Sequence, residues 1–116
     1  MRYHTLSGNM IVALYVAIFS TGAAAATPYA KIHFPADGAK LDAMTQNRMD
    51  YEVSPGPNGD HIHLYVDSKE AAIVRKLSGS HPLESLTPGT HSLCIKVVNK
   101  AHVPIGVEHC IKVSVE

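Results

Sequence analysis

The stretches Leu93-Cys94-Ile95-Lys96-Val97 and Val107-Glu108-His109-Cys110-Ile111-Lys112-Val113 decide how this chain folds. Both alternate, the period of a strand that buries one face. Pro104 and Gly106 lie between them, in a segment suited to a turn. Placed antiparallel with Cys94 opposite Cys110, the strands set Lys96 against Glu108, Val97 against Val107, Ile95 against His109 and Leu93 against Ile111. One register then offers a disulfide, an opposite-charge pair and matched apolar pairs. The bond would close a loop of about 16 residues, worth roughly 3 kcal/mol if it acts through chain entropy. The alternative, a metal site built on the cysteines, would lack CxxC spacing.

Working outward, strands are predicted at 29–34, 48–53, 61–67, 71–77, 82–86, 91–98 and 107–115. The segment 39–47 reads as a loop or a short helical turn. Turn clusters punctuate the strands at Pro35-Ala36-Asp37-Gly38, Ser54-Pro55-Gly56-Pro57-Asn58-Gly59 and Thr87-Pro88-Gly89-Thr90. Helical periodicity is not sustained anywhere in this part of the chain. About seven short strands with such punctuation predict an all-β fold, a two-sheet antiparallel sandwich.

Residues 1–26 read as a secretory signal peptide: a basic start with Arg2, an apolar run from Met10 to Phe19, and the small residues Ala24-Ala25-Ala26. Cleavage is expected after Ala26, leaving one domain at 27–116 in the periplasm or outside the cell, with no stable membrane insertion. The rival reading, an uncleaved anchor, asks a run of this length to span a bilayer, for which it is short. Lys+Arg and Asp+Glu number 10 each, and no basic stripe marks a nucleic-acid partner. With no Trp and few other aromatics, a deep aromatic-lined pocket is hard to build.

The stretch His61-Ile62-His63-Leu64-Tyr65-Val66-Asp67 carries the chemistry. Alternation puts Ile62, Leu64 and Val66 on one face, and His61, His63, Tyr65 and Asp67 on the other. Two imidazoles then stand about 7 Å apart along a rigid element, from a rise of roughly 3.3 Å per residue. Neutral imidazoles suit copper and zinc. Five more histidines follow residue 27: His33, His81, His91, His102 and His109. His33 reads as a solvated strand residue and His109 as packing at the core edge. His81 and His102 lie in loops free to approach the pair. The candidate metal set is therefore His61, His63, His81 and His102, for copper or zinc. Met44 and Met49 could add thioether donors for copper(I), but a Met among apolar strand residues is more often packing. Asp60 and Asp67 flank the strand and could orient an imidazole. The plainer reading is a polar sheet face.

Three resemblances bear on this. The string Leu86-Thr87-Pro88-Gly89-Thr90-His91-Ser92-Leu93 is similar to the entry of immunoglobulin-like and fibronectin-like domains into their penultimate strand. It implies an immunoglobulin-like sandwich. His91 then stands where such folds often place a Tyr, which implies a half-buried ring bonded to backbone. The H-x-H strand on a sandwich resembles part of the copper site of copper/zinc superoxide dismutases, whose other ligands are not recognisable here. The set of the H-x-H-L strand ending in Asp67, Ser80-His81, the L-x-P-G-x-H-x-L string and His102-Val103-Pro104 resembles small exported His-rich bacterial domains. That resemblance spans about residues 59–115 and implies fold and export.

Three function classes follow. The first is an exported sandwich that binds copper or zinc through the H-x-H pair and loop histidines. The second is a non-catalytic immunoglobulin-like interaction module for a periplasmic protein or a glycan. The third is an enzyme, which the sequence supports least: G-x-S-x-G, H-E-x-x-H and an unpaired catalytic Cys are all missing.

Overall fold

The structure is a computed structural model that describes residues 8, 11–18 and 27–116. Most of the expected leader lies outside the described residues. Within it, residues 11–18 have no regular secondary structure and are exposed. Among the described residues no helix is long and apolar enough to cross a membrane.

Eight strands form two sheets: β1 Tyr29–Phe34, β2 Ala39–Leu41, β3 Arg48–Ser54, β4 His61–Val66, β5 Lys69–Val74, β6 Ser78–Pro82, β7 Gly89–Val98 and β8 Pro104–Val115. One sheet has the order β1-β3-β6 and the other β2-β8-β7-β4-β5. The apolar faces meet between them. Ile32, Met49, Tyr51 and Val53 come from the smaller sheet, and Ile62, Leu64, Leu93, Ile95, Ile111 and Val113 from the larger, all buried.

The β7–β8 hairpin follows the expected register over most of its length. Leu93 pairs with Ile111, Cys94 with Cys110, Ile95 with His109 and Lys96 with Glu108. Cys94 and Cys110 are joined by a disulfide, with a Cα–Cα distance of 4.1 Å. Lys96 Nζ lies 3.7 Å from Glu108 Oε2. The expected Val97–Val107 pair does not form, because the register shifts and Val98 pairs with Pro104. Gly106, at φ 87°, takes up the surplus residues of β8 in a conformation that a side chain would disfavour.

Three elements depart from expectation. Ala39–Leu41, read as loop or helical turn, is strand β2, lying parallel to the end of β8. The Pro35-Ala36-Asp37-Gly38 turn explains it. Lys112 N–H donates to Asp37 Oδ1 at 2.9 Å, and Gly38 N–H donates to the Lys112 carbonyl at 2.7 Å, which lays the chain along β8. The strand placed at 82–86 lies earlier, at Ser78–Pro82. Leu83 and Leu86 are buried as plugs from the following loop, while Ser78, Gly79 and Ser80 pair with β3 and contribute no apolar side chain to the core. The strand placed at 71–77 is Lys69–Val74.

His91 fills the expected role at the mouth of β7. Its Nδ1–H donates to Asp67 Oδ2 and its Nε2–H to the Thr87 carbonyl, both at 2.6 Å. Asp67 and Ser68 form the β4–β5 turn with φ of 51° and 67°, a two-residue loop that suits strand twist. The Asp67 hydrogen bond, with that of the Thr87 carbonyl, holds the His91 pKa above its usual 6.5. His91, then the Ser92 N–H, hold Asp67 below 3.8. A raised histidine stabilises the fold fully below pH 6.5, and this is lost as pH rises through its folded pKa. A lowered aspartate stabilises above pH 3.8, and this is lost as pH falls. The pair therefore acts most strongly at mildly acid pH. His91→Gln is expected to lose more stability near about pH 5.5 than near about pH 9 in urea unfolding. An equal loss at both would contradict this.

Candidate metal centre

β4 lies inside the larger sheet, between β7 and β5, so its backbone is fixed on both sides. Ile62 and Leu64 point to the core, as alternation requires. His61 and His63 point to the other face, which the sequence gives to solvent. That face is covered here, and the two rings are 1% and 3% exposed. The cover is the β7–β8 loop, which carries His102 over the pair.

The loop is held by its own first residue. Asn99 Oδ1 accepts from Ala101 N–H at 2.9 Å and from Val103 N–H at 3.0 Å. Asn99 N–H donates to the Val103 carbonyl, and His102 N–H to the Asn99 carbonyl. His102 itself has φ 63°, a left-handed conformation costly for a residue with a Cβ and found where surroundings enforce it. The result aims its ring inward.

Three ring nitrogens converge. His61 Nε2 lies 3.2 Å from His63 Nε2 and 3.1 Å from His102 Nδ1, and His63 Nε2 lies 3.0 Å from His102 Nδ1. Though spaced along the strand, the two strand rings lean together at their tips, with centroids 5.1 Å apart. The back of each strand ring faces a carboxylate. Asp60 Oδ2 is 2.8 Å from His61 Nδ1, which fixes the ring proton there and turns the Nε2 lone pair to the centre. Glu70 Oε2 is 3.6 Å from His63 Nδ1, a buried nitrogen with no hydrogen-bond partner. Burial holds the His63 pKa below 6.5, against the pull of Glu70, and so favours the neutral ligand form. The His61 hydrogen bond holds Asp60 below 3.8.

One shared proton would satisfy a single pair of these nitrogens and leave the third against a lone pair. One cation satisfies all three. Nitrogens 3.0–3.2 Å apart are close enough for all three to reach one ion at a metal–nitrogen distance of about 2.0–2.1 Å, and the imidazole set would suit zinc or copper.

Of the four histidines singled out in the sequence, three meet. His81 lies on β6 opposite Met49, in the other sheet. Met49 is core, and Met44 is 93% exposed in the loop before β3. His33 is exposed and 3.3 Å from Glu52 Oε2. His109 Nδ1 accepts the Ile32 N–H at 2.9 Å and ties the two sheets. Asp60 backs a ligand as its position suggested, whereas Asp67 serves His91. Glu70 was not singled out. Its signal was the β4–β5 turn: a two-residue loop at Asp67-Ser68 pairs Tyr65 with Glu70, one position from His63 on that face. Glu70→Ala is expected to weaken copper(II) affinity about 10- to 100-fold, the usual effect of removing a carboxylate behind a ligating imidazole. Calorimetric titration checks it, and an unchanged affinity would show that Glu70 does not orient His63.

The fold is shared with solved structures. Fibronectin(III)-like modules of Clostridium thermocellum CbhA match with a TM-score of 0.62 at 11% identity, over 75% of this chain and 95% of that one. An engineered protein matches with a TM-score of 0.56 at 19% identity, over 80% of this chain; the match spans 21% of the engineered chain. No family model and no curated protein matches the sequence. The likeness establishes an all-β, immunoglobulin-like sandwich.

Proposed function

We propose that this is an exported copper(II)-binding domain, with zinc(II) the second ion the site accepts, and that His61, His63 and His102 are the ligands. The observation that carries the reading is the convergence of three imidazole nitrogens within 3.2 Å of one another. Two further features support it. The carboxylates of Asp60 and Glu70 lie behind the strand rings, where they favour the tautomer a metal needs. The converging side chains are imidazoles and the cysteines are bonded to each other, which favours an imidazole-type site over a thiolate one.

Export rests on the leader-like residues 1–26 and on the disulfide, a bond that persists in oxidising compartments. It agrees with the resemblance to small exported His-rich domains. In that setting the domain stores, delivers or senses the metal. Titrating copper(II) and zinc(II) into the purified protein tests the reading. One equivalent should bind tightly, copper more so than zinc, in keeping with the general affinity order. The absence of stoichiometric binding by either ion would defeat it.

A further inference from the structure

We infer that an ion held by His61, His63 and His102 keeps one exchangeable coordination position, and that this position takes a small monodentate anion from solution. The inference rests on the metal reading above and adds a second ligand to the same site.

Among the described residues the His, Cys, Asp and Glu side chains that converge on the site are these three histidines. The nearby carboxylates, the cysteines and the methionines are engaged elsewhere. Asp60 and Glu70 face the back nitrogens of His61 and His63, with the rings between them and the centre. Cys94 and Cys110 are bonded to each other. Met49 is in the core and Met44 stands out in solvent. Closed structural zinc sites use four protein ligands, whereas three protein ligands leave a place for an exchangeable one. An ion on these three nitrogens would therefore keep a coordination position for a ligand from solution.

Charge sets the class of that ligand. Three neutral imidazoles leave a divalent ion with its full charge. Of the two nearby carboxylates, Asp60 is itself met by Arg75 Nη1 at 3.7 Å. Access is on the His102 side, because His102 is exposed while the strand pair is buried. A hollow of about 340 Å³ lined by Gly59, Asp60, Asn99 and Lys100 opens beside that loop. Lys100 adds positive charge on that side of the loop, facing the carboxylate of Asp60.

The test uses the purified protein loaded with one equivalent of copper(II). Sodium azide is titrated in while visible absorption and electron paramagnetic resonance are recorded. The expected result is a new azide-to-copper charge-transfer band that saturates at one azide per copper, with copper still on the protein after gel filtration. Copper retained with both spectra unmoved by excess azide would overturn the inference and leave the metal reading in place. Azide that strips the copper would also overturn it. Failure to load copper at all would defeat the metal reading itself, so the two failures are told apart.

Discussion

Replacing both His61 and His63 with alanine is expected to lower copper(II) affinity by at least about a thousandfold, since structural zinc sites bind with about 10–16 kcal/mol shared over their ligands, a few for each. Both rings come from one strand fixed by hydrogen bonding on two sides. His102 alone cannot hold an ion tightly. Buried rings replaced by alanine leave space behind, so the fold needs its own control. His63→Leu fills that volume and removes the ligand. It should keep the thermal transition near that of the parent while losing at least about a hundredfold in affinity. A variant that unfolds as the parent does and binds copper as tightly would remove His63 from the site.

The second large effect concerns the hairpin that carries the third ligand. The Cys94→Ser/Cys110→Ser variant is expected to lose about 3 kcal/mol, or roughly 12–24 °C in Tm for a domain of this size. The bond closes a 16-residue separation that includes the whole His102 loop. For a single small core this is a large share of the total stability. Copper affinity should fall as well, because the strands that launch the loop are then held by pairing alone. Thermal unfolding followed by circular dichroism checks the first effect. An unchanged Tm would mean that the register alone fixes the hairpin.

Most of the sandwich was legible because it follows from alternation. The β7–β8 register, the core face of β4 and the seat of His91 all come from side chains whose burial or pairing the pattern forces. What escaped was set by backbone. Strand β6, Ser78–Pro82, has no apolar alternation and exists because β3 offers it a hydrogen-bonding edge. Strand β2 exists because Asp37 and Gly38 tie the chain to Lys112. The metal centre divides the same way. The strand pair is a matter of spacing, so it could be read directly. His102 joins it only through the fold of its loop, where Asn99 satisfies the backbone and forces a left-handed residue. No periodicity encodes that step, which is why His81, an equally plausible loop residue in sequence, ends in the other sheet. The burial of His61 and His63 has the same cause, since alternation assigns a face and cannot say whether a loop will cover it.

The central claim is that three imidazoles from β4 and the β7–β8 loop share one ion. Pulsed electron paramagnetic resonance on the protein loaded with one equivalent of copper(II) tests it most directly, because it counts the coordinated imidazole rings. The expected spectrum shows three imidazoles in the parent and two in His102→Ala. A parent spectrum with one imidazole or none, or a count that His102→Ala leaves unchanged, would contradict the account.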